Sequence, residues 1–179
     1  MTDLAPLMPL ARAVIGASTE AGLKIAVAES CTGGLVAGVL TEIAGSSAVV
    51  DRGFVTYSDA AKTDMLGVPA ELIRQFGAVS RECALAMVAG ALARSDADIA
   101  VSITGIAGPS GGSPEKPVGL VHFGAMRQGS PARHLVRQFP NDGRDAIRAA
   151  ATREALDLLA TLAQSDERQP AITAPRTLE

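Results

Sequence analysis

The chain contains no tryptophan, one tyrosine and four phenylalanines, so aromatic residues make up only 3% of its 179 positions. A core must then come from Ala, Val, Leu and Ile. With 47% hydrophobic residues there is enough of them, and such small side chains suit helices packed closely on a sheet. Cysteine and histidine are scarce too: Cys31 and Cys83 form no C-x-x-C pair, and His122 and His134 add no metal-ligand spacing. Neither a metal nor a cofactor is expected, and free thiols fit a cytoplasmic protein. There is no excess of charge of either sign. A net charge of −3 excludes the broad basic face of a nucleic-acid-coating protein, yet one or two arginines suffice for a small anionic ligand. No apolar run approaches the roughly 18 residues of a membrane span. Asp3 and Arg12 interrupt the N-terminal segment, so neither membrane insertion nor a signal peptide is expected.

What is present is a regular alternation of elements. Residues 3–21 carry an amphipathic stripe (Leu7, Leu10, Ala11, Val14, Ile15), with Thr2 as a candidate cap and Gly22 as the stop. The run 24–28 predicts a strand, and Thr32 is placed to cap a helix from Gly33 to about Ala44. A second strand is predicted over 52–57, and short helices over about 59–65 and 69–77. Ser80 caps a longer helix over 81–94, and a buried strand follows over 99–104. The Gly- and Pro-rich segment 105–117 reads as a functional loop. Strands over 118–126 and 133–139 form a hairpin, and a final helix capped by Asn141 or Asp142 runs to about Gln164. One α/β domain over 1–165 is expected: a single three-layer domain whose mixed central sheet is flanked by helices. Residues 166–179 lose periodicity and read as a disordered tail.

The chemistry concentrates between Ala26 and Lys62. Ser47 lies at a corner between a helix end and a strand, where a hydroxyl can project into a cleft, and Tyr57 and Lys62 follow. A serine needs a base, and both histidines fall within packed strands. Lys62, if made neutral by burial, or Tyr57, as a relay, is the candidate partner; spacing does not choose between them. Ser30, Thr32 and the pair Gly33-Gly34 look like an anion cradle at a helix start or simply a tight turn, and Cys31 beside them is a weaker candidate nucleophile. Arg144 and Arg148 open the last helix, where a cation opposes the helix dipole and a bound phosphate would offset the penalty. Thr104 and Gly105 end a strand and can present a hydroxyl and backbone groups to a ligand.

Several stretches together carry a resemblance: AESCTGG (28–34), GSS with RGFVTYS and Lys62, LGV (66–68), GAVS (77–80), and SITGIAGPSGG with KPVG (102–119). In order and length they are similar to the CinA C-terminal domain family over roughly residues 5–163. The resemblance implies a single α/β domain that is a homo-oligomer, and a nicotinamide mononucleotide (NMN) deamidase that hydrolyses NMN to nicotinic acid mononucleotide and ammonia without metal or cofactor. It further implies Ser47 as nucleophile with Tyr57 and Lys62 handling protons, and Ser30, Thr32, Gly33, Ser46, Thr104, Gly105 and Arg144 around the nucleotide. A non-catalytic nucleotide-binding module of the same competence- or damage-inducible family is the alternative.

Overall fold

The structure, a computed structural model, describes residues 2–165; the expected tail over 166–179 lies outside the described residues. Five strands form one mixed sheet: β1 (Ile25–Glu29), β2 (Val50–Val55), β3 (Ile99–Gly105), β4 (Leu120–Arg127) and β5 (Arg133–Gln138), in the spatial order β2-β1-β3-β4-β5. β1 lies parallel to both β2 and β3, whereas β4 runs antiparallel to β3 and β5 antiparallel to β4. The fold is α/β, with helices on both faces.

Side chains alternate along each strand, and this divides the core. Ile25 and Val27 of β1 and Ile99, Val101 and Ile103 of β3 face α1 (Met8–Ala21), α2 (Leu35–Thr41) and α6 (Arg144–Gln164). The opposite face is paved with small residues, Ala26, Ala28 and Ala100, and receives α3 (Asp59–Leu66), α4 (Ala70–Phe76) and α5 (Arg81–Ala93). Small paving lets α5 approach closely. Its Ala84 carbonyl accepts a 2.6 Å hydrogen bond from the buried Ser102 hydroxyl, which in turn accepts from the Gly124 N–H. A Cβ on Gly124 would fall 2.7 Å from that carbonyl.

Helix starts follow the expected chemistry where the cap is local. Ser58 accepts from Ala61 N–H and Ser80 from Cys83 N–H. Elsewhere they depart from it. α1 begins after a 3₁₀ turn (Ala5–Leu7) without Thr2 as its cap, and α6 begins after Gly143 rather than at Asn141 or Asp142. Thr32 does not cap α2. That helix starts at Leu35, and Glu29 from the end of β1 caps it, its buried carboxylate accepting from the N–H groups of Gly34, Val36 and Ala37 at 2.9, 3.2 and 2.9 Å. At its other end α6 is closed by Arg127 of β4, which donates to the carbonyls of Leu162 and Ser165.

Candidate functional site

The three parallel strands all end on one side of the sheet, and α6 begins there. Ser30 follows β1, Tyr57 follows β2, Thr104 and Gly105 end β3, and the loop after β3 folds over them. Between them lies a cleft of about 270 Å³, lined among others by Ser30, Tyr57, Lys62, Thr104, Gly105 and Arg144. A crevice at the carboxyl ends of parallel strands, where the connections leaving β1 turn aside, is the usual ligand position in open α/β sheets.

Lys62 is the least expected member in its surroundings. It lies on α3 but points inward, with a relative exposure of 1%. Its Nζ lies 3.2 Å from Ser30 Oγ and donates to the Thr56 carbonyl at 2.9 Å. Among the described residues no carboxylate bonds this amine, and its burial, which disfavours the ammonium, lowers its pKa from the ordinary lysine value. The Asp59 charge lies near enough to oppose that shift in part. A lysine whose proton is weakly held, in contact with a serine hydroxyl, has the chemistry a general base needs beside a nucleophile.

Ser47, expected beside Lys62, is not there. It sits exposed in a 3₁₀ turn (Ser46–Ala48) ahead of the first residue of β2, whereas Tyr57 and Lys62 follow its last. Six strand residues at about 3.3 Å each separate the two ends by roughly 20 Å. Ser46 stays with it at the far end of the sheet. The serine that meets Lys62 is Ser30, which the sequence reading had placed in the anion cradle. That cradle is filled from within: the N–H groups at the start of α2 are taken by Glu29, so Gly33 and Thr32 offer no free helix end to a ligand. Thr32 is fully buried with its Oγ1 unpartnered, and neither it nor Gly33 lines the cleft.

Tyr57 and Arg144 meet at the cleft mouth. Tyr57 is 60% exposed, and its hydroxyl accepts from Arg144 Nη2 at 2.7 Å, while Arg144 Nη1 donates to the Gly108 carbonyl at 2.8 Å. Thr104 donates its hydroxyl proton to the Ala78 carbonyl at 2.7 Å, which leaves only lone pairs toward the cleft. Arg148, one turn after Arg144, does not face solvent. Its Nε and Nη2 donate to the carbonyls of Cys31 and Thr32, at 3.2 and 2.7 Å, and fasten the turn that carries Ser30 to α6. The sequence signal for it was the i, i+4 arginine pair, but nothing local showed which carbonyls it would reach. Ala78, Val79 and Asp59 also line the cleft, and sequence reading had assigned none of them to it.

The thiols are poorly suited to attack. Burial pushes Cys31 up to about 12 and Cys83 up to about 11, so both stay protonated near neutrality. His122 and His134 are half-buried on β4 and β5, with Nδ1 of the first 3.0 Å from Nε2 of the second. Their burial lowers both pKa values, and the charge of His134 lowers that of His122 further. Among the described residues, no group of three or more His, Cys, Asp or Glu is arranged to hold a metal ion, and no helix is long and apolar enough to cross a membrane.

Comparisons with known proteins agree with this architecture. A crystal structure of the competence/damage inducible protein CihA from Agrobacterium tumefaciens superposes with a TM-score of 0.86 at 56% identity, covering 88% of this chain and 96% of that one. A protein of Escherichia coli K12 named nicotinamide-nucleotide amidohydrolase PncC is 51% identical over 162 residues, which is 89% of this chain and 95% of that protein. A CinA-like protein of Akkermansia muciniphila is 47% identical over 147 residues, 82% of this chain, yet the chain spans only 35% of that relative's length. The sequence model of the CinA C-terminal domain matches residues 7–163, so the chain belongs to the CinA C-terminal domain family.

Proposed function

We propose that this protein hydrolyses the carboxamide of a nicotinamide nucleotide, converting NMN and water to nicotinic acid mononucleotide and ammonia, with Ser30 as nucleophile and Lys62 as base. The observation that carries this reading is the 3.2 Å contact between a buried lysine amine and Ser30 Oγ at the floor of the cleft. The name of the E. coli relative supplies the substrate class.

The steps follow from the proton positions. Neutral Lys62, oriented by the Thr56 carbonyl, takes the Ser30 proton as Oγ attacks the carboxamide carbon. The backbone N–H of Cys31, which lines the cleft in the turn that Arg148 holds in place, is the natural donor to the oxyanion. Thr104 presents lone pairs suited to accept from the carboxamide NH₂ and so to distinguish it from a carboxylate. The Lys62 ammonium then protonates the departing nitrogen, the C–N bond breaks and ammonia leaves an acyl-Ser30. Water, deprotonated by Lys62, attacks the ester carbonyl, and Ser30 regains its proton from the same amine. Arg144 and Tyr57 at the cleft mouth are the residues to meet the phosphate and ribose.

Ammonia release from NMN tests this directly. Ser30→Ala should lower the rate by at least about a thousandfold, as expected for losing a nucleophile, while Ser47→Ala at the far end of the sheet leaves it unchanged. Full activity in Ser30→Ala, or loss only in Ser47→Ala, would overturn the assignment. Nucleotide binding without ammonia release from the wild-type protein would mark it as a binding module instead.

A further inference from the structure

One charged side chain in the cleft has no part in the reaction just described. Asp59 opens α3 and lines the cleft between Tyr57 and Lys62. It is the single carboxylate among the described residues of that lining, and its side chain makes no hydrogen bond or ion pair with them. The two basic side chains of the cleft are engaged elsewhere, Lys62 with Ser30 and the Thr56 carbonyl, and Arg144 with Gly108 and Tyr57. A negative charge thus faces open volume. An acidic residue in a first helical turn is favourable for the helix by itself, but that does not require it to line a cleft.

Its position relative to the reacting atoms is informative. Asp59 and Lys62 are three residues apart and share a face of α3. Lys62 holds the serine that must touch the carboxamide carbon. In a nicotinamide nucleotide the ring nitrogen is meta to the carboxamide and carries a full positive charge, whereas the phosphate is negative. A ligand with its amide at Ser30 and its phosphate toward Arg144 brings that cationic ring against Asp59. Resting on the nicotinamide-nucleotide reading above, we propose that Asp59 is a specificity-determining residue that recognises the positive charge of the pyridinium ring and selects it over a neutral ring of the same shape.

The test measures binding without turnover. In a Ser30→Ala background, calorimetry compares NMN with its 1,4-dihydro form, which keeps amide, ribose and phosphate but has a neutral ring. Adding Asp59→Asn should weaken NMN about two- to fivefold, the worth of one charge pair at an exposed carboxylate, and should leave the dihydro form unchanged. The unchanged ligand also reports that the cleft is still folded. Equal weakening of both ligands, or of neither, would overturn the proposal. If Ser30→Ala binds neither nucleotide, the substrate reading itself fails and this inference with it.

Discussion

Replacing Glu29 by glutamine isolates the interaction that holds the serine turn in place. The carboxylate is fully buried and accepts three backbone N–H groups, those of Gly34 and Val36 on one oxygen and that of Ala37 on the other. Glutamine has the same shape, but one of the two positions becomes an NH₂ that donates. In its better orientation the amide oxygen serves Gly34 and Val36, and the NH₂ confronts the Ala37 N–H. That leaves one unpaired donor, costing about 1–3 kcal/mol, and turns two charge-assisted bonds into neutral ones at about 0.5–1 kcal/mol each. A loss of about 2–5 kcal/mol is expected, equivalent to about 4–20 °C in Tm for a domain of this size. Urea unfolding followed by far-UV circular dichroism, with m held constant, would measure it. Ser30 is the next residue, so ammonia release should fall as well. Stability within about 0.5 kcal/mol of wild type would refute the account of α2 as a helix capped from the preceding strand.

Three further outcomes follow from other parts of the molecule. Lys62 must be neutral to accept the serine proton and its pKa is lowered by burial, so kcat/KM should rise with pH through a limb below the ordinary lysine value. The Asp59 charge opposes that lowering, so Asp59→Asn should move the limb to lower pH, and a shift to higher pH would contradict the placement. Cys31 and Cys83, pushed up to about 12 and about 11, stay protonated in the fold where the unfolded chain ionises near 9. Each should therefore reduce stability as pH climbs above about 9, by up to about 1.4 kcal/mol per pH unit. Lys62 acts in the opposite sense up to about pH 10.4, because there the unfolded chain binds the proton that the folded one lacks. The double variant Cys31→Ala/Cys83→Ala should flatten or reverse the alkaline decline, as pH-dependent urea midpoints would show. Gly124→Ala places a Cβ 2.6 Å from Ser102 Oγ and 2.7 Å from the Ala84 carbonyl. It should cost about 1–3 kcal/mol by denaturation, although alanine in an ordinary strand would be harmless.

The order and type of the main elements were legible because β1 and β3 are apolar runs bounded by turn residues, and because Ser58 and Ser80 cap their own helices. Residues gathered by the strand ends were also within reach: Ser30, Tyr57, Lys62, Thr104, Gly105 and Arg144 all meet at one cleft. The expectation that Ser47 lies beside Lys62 failed for a topological reason. Proximity in the chain to Tyr57 and Lys62 suggested proximity in space, but β2 runs straight between them and carries the two ends apart. Glu29 misled in a related way. A helix start rich in glycine and small hydroxyl residues reads as an open anion site, and only the fold shows that a carboxylate from the preceding strand already occupies it. Arg148 could not be placed without knowing that α6 lies over the turn after β1.

Because Arg144 and Arg148 sit on the final helix, the reaction centre is assembled from both ends of the polypeptide. During synthesis the amine and the hydroxyl emerge from the ribosome early, yet the turn that carries the hydroxyl lacks its Arg148 contacts until about a hundred further residues have been added. An unfinished chain would therefore hold an incomplete cleft. Supplying this helix as a separate peptide to a shortened protein would complete it on demand, and the proposed hydrolysis could be followed before and after.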